Sequence, residues 1–179
     1  VIKYNIIYPD CPWLYSDGQK NQPKTYGRMR PKDLRYMDVA GIAADDCALF
    51  LWATSPMLPT ALGVMRAWGF DYRTVAFTWI KTNKDGTPKM GMGHWTRQNA
   101  EFCLLGIKGR PKRISQSVHS VIMAPTREHS RKPDEARDRI VKLFGDVPRI
   151  ELFARQRFPG WDAWGDQVEN PQPILETAK

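Results

Sequence analysis

The sequence predicts an α/β fold, with a mostly parallel central sheet flanked by helices. Three observations lead there. Strand-like runs alternate with runs of helical period along the chain. The segment "CALFLWAT" (residues 47–54) is apolar almost without a break, as a parallel strand covered on both faces must be. Two strand-like segments also end in polar clusters, Asp10-Cys11-Pro12-Trp13 and Ala154-Arg155-Gln156-Arg157. A parallel sheet would carry both clusters to one edge, outside the carboxyl ends of its strands, where such sheets bind ligands.

Each element has its own signal. Residues 1–8 read as a buried strand. Residues 9–30 form a polar loop, rich in Gly, Lys and Arg, of a length that usually accompanies function. Pro31 opens a helix at its first turn, running to about residue 43. Residues 47–54 form the second strand. Ser55 is placed to cap a helix over 56–68, which Gly69 stops. Residues 72–81 form a third strand, followed by a Gly/Lys-rich loop, "TNKDGTPKMGMGHWTRQ". Residues 100–108 form a fourth strand, 109–120 a basic loop and 120–125 a short fifth strand. Residues 132–144 are amphipathic, with Ala136, Ile140, Val141 and Phe144 on one face and Gly145 ending the helix. Residues 149–154 form the sixth strand. The tail, 170–179, holds Pro171 and Pro173 and little to bury, so it is expected to fray and leave 1–169 as one domain.

Bulk properties narrow the function. A chain of 179 residues, 42% hydrophobic, suffices for one domain with a real core. No apolar run approaches the roughly 20 residues that span a bilayer, and the opening residues lack a signal-peptide layout. Three cysteines, Cys11, Cys47 and Cys103, are odd in number and far apart, which argues against a disulfide framework and against a zinc site. His119 and His129 have no ligand-spaced partners, so no metal is assigned. A reducing, cytoplasmic setting is expected. Lys and Arg total 27 against 19 Asp and Glu, a net charge of +8 that suits a polyanion such as nucleic acid.

The tetrad at residues 10–13 raises a chemical question. An exocyclic amine on an aromatic base is a poor nucleophile, because its lone pair is conjugated with the ring. Hydrogen bonds from that amine to a carboxylate and a neighbouring carbonyl draw it towards tetrahedral geometry and free the lone pair. Asp10 supplies the carboxylate, Pro12 stiffens the backbone, and Trp13 offers a face on which an extruded base can stack. The same four residues also suit a capped turn, with Asp10 bonding local amides and Trp13 filling core. Cys11 has no His near it in sequence and is not read as a nucleophile. Lys132, at the start of the last helix, is positioned to neutralise a ligand carboxylate, and Asp166 and Gln167 suit the hydroxyls or amino group of a nucleoside.

Seven blocks tip the balance: "YPDCPW", "TYGRM", "LFLWAT", "TWIKTN", "GMGHWTRQNAEFCLLGIKG", "HSRKPDEARDRIVKLFG" and "RIELFARQRFPGWDAWGDQ". In this order, and covering residues 4 to 169, they resemble the adenine-N6 methyltransferases akin to the seventy-kilodalton subunit of the mRNA adenosine methyltransferase, and especially the compact bacterial and phage DNA branch. The resemblance implies a Rossmann-like class I methyltransferase fold with the catalytic motif ahead of the cofactor motif. It implies S-adenosylmethionine as cofactor and the 6-amino group of adenine as target. Asp10, Pro12 and Trp13 match the catalytic tetrad, with Cys11 where Pro is commoner. Tyr26 matches a residue bordering the target base. Asp10, Lys132, Phe153, Arg155, Arg157, Asp166 and Gln167 fall on cofactor-binding positions, Asp166 standing where larger relatives have Asn. The short run ahead of the tetrad leads to the expectation that other residues hold the cofactor adenine.

Substrate contact is expected from Cys11, Tyr26, His94 and Trp95, and from the basic run Lys108, Arg110, Lys112 and Arg113. Trp52, Trp68 and Trp79 read as core. The resemblance favours DNA over RNA as substrate. A catalytically silent nucleic-acid-binding scaffold is the alternative from another class, and a homodimer or heterodimer stays open.

Overall fold

The chain alternates strand and helix because its apolar residues do. The computed structural model describes residues 2–14 and 27–169. In chain order the elements are β1 (Tyr4–Pro9), α1 (Pro31–Arg35), α2 (Val39–Ile42), β2 (Ala43–Ala53), α3 (Leu58–Ala67), β3 (Asp71–Thr82), β4 (Ala100–Lys108), β5 (Val121–Pro125), α4 (Asp134–Phe144), β6 (Arg149–Leu152) and β7 (Asp162–Trp164). The strands form one sheet in the order β5-β3-β4-β2-β1-β6-β7. β1 pairs in parallel with β2 and β6, β3 with β5, and β6 with β7. Only β4 is reversed, antiparallel to β2 and to β3. The sheet is therefore mostly parallel, and every strand except β4 ends at the same edge.

Alternation along the central strands builds two cores. Ile6 and Tyr8 of β1, with Ala48, Phe50 and Trp52 of β2, pack on one face with Ala136 and Ile140 of α4. Ile7, Cys47, Leu49 and Leu51 point to the other, against Leu34, Val39, Ala61 and Val64 of the first three helices. Both faces are covered, which is why β2 reads as unbroken apolar sequence. Trp52, Trp68 and Trp79 are buried, as expected.

Four local expectations change. The helix over 31–43 is two short helices, because the Asp38 carboxylate accepts from Gly41 N at 2.8 Å and caps a new start. A Cβ at Gly41 would lie 2.1 Å from Asp38 Oδ2, so glycine is what admits that cap. β2 consequently begins at Ala43, four residues before Cys47. Ser55 does not cap α3; it opens a turn of 3₁₀ helix and its hydroxyl donates to Gln98 Oε1 at 3.0 Å. β7 is an additional strand inside the segment read only as ligand-binding, held by burial of Trp161 and Ala163. Tyr26 and the tail, 170–179, lie outside the described residues.

Candidate active site

Asp10 is the first residue beyond β1, and its amide donates to Leu152 O at the end of β6. The chain then turns sharply. Trp13 N donates to Cys11 O at 2.9 Å and Met29 N to Pro12 O at 2.9 Å. Trp13 is 7% exposed, part of the core, and its Nε1 donates to Trp52 O at 3.4 Å. Of the two readings of Trp13, burial matches the one in which it fills core. Trp13 anchors the turn from below, while Pro12 lines a cavity above it. Cys11 is buried too, and burial, with Asp10 beside it, pushes its thiol well above the ordinary range. Its side chain lies in the core, and its carbonyl accepts from Trp13 N within the turn.

Lys132 comes to Asp10 from the other side of the sheet edge. Its ammonium lies 3.0 Å from Asp10 Oδ1 and 3.1 Å from Glu101 Oε2, and donates to Ser130 O at 3.2 Å. Glu101 is held in turn by Lys81 at 2.6 Å. The side chain of Lys132 is 8% exposed, whereas that of Asp10 is 30% exposed and reachable. Burial alone would lower the Lys132 pKa, but Asp10 and Glu101 outweigh it and raise it. Burial pushes Glu101 up, yet Lys132 and Lys81 hold its carboxyl below the ordinary range. Lys132 thus has two carboxylate partners within the protein, and it also lines the larger cavity beside Asp10. Glu101 was missed in the sequence, although its signal is there: a lone acid in the apolar run "AEFCLLGIK".

Two cavities flank Asp10. The larger, about 510 Å³, is lined among others by Asp10, Lys132, Arg127, Arg131, Phe158 and Gln156. The smaller, about 120 Å³, is lined by Pro12, Gly27, Met29, Trp164 and Asp166. Asp10, Phe153, Arg155 and Gln167 border both. Among the described residues, two that are not glycine have positive φ, Ser130 at 58° and Phe153 at 61°, and both sit at this site. Such backbone strain is kept where the surroundings over-determine it. Here it turns the Phe153 ring edge-on to Trp164, with centroids 5.5 Å apart. Gly165 is obligatory, since a Cβ there would meet Ala154 O at 2.2 Å; this close approach brings Asp166 and Gln167 over the end of β6. Beneath the larger cavity Arg137 is clamped to Glu151 at 2.7 and 2.9 Å and stacks 3.6 Å from the Phe158 ring centroid.

The remaining candidates scatter. Arg157 lines neither cavity; it is exposed and donates to Glu169 O. His94 and Trp95 are exposed on the loop after β3, on the same edge as Asp10. Lys108, Arg110, Lys112 and Arg113 are not on that edge. β4 is reversed, so Lys108 pairs with Cys47 near the start of β2, and Arg110 N donates to Asp46 Oδ1. The nine-residue β4 puts this run roughly 25 Å from the ligand edge. The run therefore lies at the opposite edge of the sheet from Asp10 and lines neither of the two cavities there.

A seven-stranded, mostly parallel sheet with one reversed strand, flanked by helices, is the architecture of a class I methyltransferase fold. Residues 4–167 match the MT-A70 family, and the chain belongs to that family. It is 34% identical to the type II methyltransferase M.MunI of Mycoplasma sp., over 98% of this chain and 82% of that protein. It is 32% identical to the N(6)-adenosine-methyltransferase catalytic subunit METTL3 of Homo sapiens, over 93% of this chain and 28% of that protein. It is also 32% identical to the N(6)-adenosine-methyltransferase MT-A70-like of Arabidopsis thaliana, over 97% of this chain and 25% of that protein. The chain spans about a quarter of the length of these two plant and animal relatives. Among the described residues no helix is long and apolar enough to cross a membrane.

Proposed function

We propose that this chain transfers a methyl group from S-adenosylmethionine to the 6-amino group of adenine in DNA. The observation that carries the reading is the position of Asp10, a reachable carboxylate that borders both cavities and is held by a buried lysine.

The donor set fits the cofactor. Its charged amino-acid end needs a cation for its carboxylate; Arg131 lines the larger cavity, and while one of its terminal nitrogens bonds Asp134 at 3.2 Å, its buried Nε has no hydrogen-bond partner. Its adenosine needs aromatic surface and amide or carboxylate partners, which Phe153, Gln167 and Asp166 offer; Arg155 stands at the partition. When bound, S-adenosylmethionine supplies an electrophilic methyl carbon on a sulfonium. The chain's own part is positioning and electrostatics. Asp10 accepts a hydrogen bond from the adenine amine, which localises the nitrogen lone pair. Lys132, fixed by Glu101, keeps that carboxylate in one place. Pro12 holds the turn rigid, and Trp13 locks it to the core.

DNA is the reading that goes with the relative of like length, the type II methyltransferase, while the relatives named for adenosine are much longer. Three free, buried cysteines suit a reducing cytoplasm as the place of action. The test is mass spectrometry of nucleosides after incubation with S-adenosylmethionine and unmethylated DNA or, separately, RNA. N6-methyladenine in the DNA sample is expected. Methylation of RNA alone would shift the substrate, and a wild-type protein that neither binds S-adenosylmethionine in a calorimeter nor modifies either polymer would be a silent scaffold.

A further inference from the structure

We propose that the tip of the segment between β3 and β4 is an apolar wedge for duplex DNA, with Met90, Met92 and Trp95 entering the base stack beside the adenine that leaves it. The proposal rests on the reading that adenine in DNA is the substrate.

The three side chains are among the most exposed large apolar groups of the described chain, Met90 at 78%, Met92 at 98% and Trp95 at 100%. They are displayed by a built structure. In "KMGMGHW" methionine and glycine alternate, and the structure sets them apart, with both methionines exposed and Gly91 and Gly93 half-buried. The glycines face inward: a Cβ on Gly91 would lie 1.4 Å from Gln98 O, and one on Gly93 1.9 Å from Thr96 O. Only glycine permits the two limbs to lie that close, and the methionines are left facing out. The base of the segment is pinned by Lys81 N to Asn99 O and Lys89 N to Lys81 O, each 2.8 Å. Ser55 Oγ to Gln98 Oε1 at 3.0 Å and Lys89 Nζ to Thr126 Oγ1 at 2.7 Å fasten it to neighbouring elements.

The location and charge select the occupant. The segment leaves the same sheet edge as Asp10, three strand spacings away, roughly 14 Å. Lys81 at its root bonds Glu101, which holds Lys132 against Asp10. Lys84, Lys89 and Arg97 flank the apolar tip, and the one acid between residues 83 and 99, Asp85, has its carboxylate taken by Thr87 N and Oγ1. A polyphosphate backbone complements that charge, whereas a second copy of this chain would set like charges against each other. A base that leaves a duplex opens a gap between its former neighbours, and apolar side chains that enter the stack hold such gaps open. A flat indole with two pliable thioethers suits that task. Single-stranded DNA presents no paired stack to hold open.

The experiment compares initial methylation rates on unmethylated duplex DNA and on the same DNA heat-denatured, for wild type and for the triple variant Met90→Ala, Met92→Ala, Trp95→Ala. The duplex-to-single-strand rate ratio is expected to fall at least tenfold in the variant, and Trp95→Phe, which keeps a ring, should stay within about threefold of wild type. A triple-variant ratio within twofold of wild type would overturn the wedge. So would a wild-type dimer that the triple variant converts to monomer without changing the ratio, since the tip would then be a subunit contact. If the wild type methylates neither form, the reading of the site as a DNA adenine methyltransferase fails separately. The wedge is then judged by tryptophan fluorescence: quenching by duplex DNA that Trp95→Phe abolishes supports it, and no quenching overturns it.

Discussion

Glu101 is a carboxylate with two ammonium partners and almost no contact with water, and its removal is the sharpest test of how Asp10 is held. Glu101→Gln leaves Lys81 and Lys132 short of one negative charge in a buried setting. Loss of one partner from a buried ion cluster typically costs about 3 kcal/mol, which urea unfolding will read. The pH dependence has a definite sign. The folded carboxyl is held below its ordinary range, so its contribution is present above the unfolded value of about 4.3 and is lost as pH falls through the depressed folded value. Lys132 is shifted upward, so its contribution is present below about 10.4 and is lost only as pH rises through the raised value. The gap between wild type and variant is expected to be level from about pH 5 to pH 10 and to close in acid; a gap that widened in acid would contradict the assignment. At this scale Asp10 and Lys132 were legible as chemistry, one at a strand end and one at a helix start. Trp13 was not, because a tryptophan beside a turn serves equally as a stacking face or as an anchor, and only burial distinguishes them.

The elements that form the site are short, and their joints carry the precision. β6 ends in the strained Phe153, and β7 returns over it through Gly165, whose lack of a side chain lets it touch Ala154. Gly165→Ala should drive the two segments apart and carry Asp166 and Gln167 off the cavities. Calorimetric titration with S-adenosylmethionine is expected to show at least a tenfold weaker affinity, with the central sheet still folded by circular dichroism; unchanged affinity would place the cofactor elsewhere. The strands were readable where burial is continuous, as in β2, and where turns bracket them, as in β4. The helix over 31–43 misled because its propensity is adequate throughout and only the Asp38 cap, a side-chain choice, divides it. β7 was hidden because three residues are too few to show a period of two.

At the scale of the molecule, sheet order decides which basic residues share a surface with Asp10, and local sequence does not encode that order. The reversal of β4 depends on pairing with β2 and β3, residues far away in the chain, so the run Lys108–Arg113 could be read as a basic loop but not assigned to an edge. The mostly parallel architecture was legible from alternation of elements alone. On the proposed function, the net charge of +8 makes counterion release a large part of the drive for binding DNA. Raising salt from about 50 to 200 mM is expected to weaken binding to duplex DNA between about ten- and a thousandfold, as for a few phosphate contacts; affinity indifferent to salt would contradict a phosphate-contacting surface. The central claim is that the Asp10 carboxylate prepares the adenine amine for attack, and the single-turnover rate of Asp10→Ala at saturating S-adenosylmethionine and DNA tests it most directly. A loss of at least about a hundredfold, in the range for removing one preorganised group, is the expected result. A variant that transfers methyl within about fivefold of wild type would show that the carboxylate at the end of β1 is not what activates the amine.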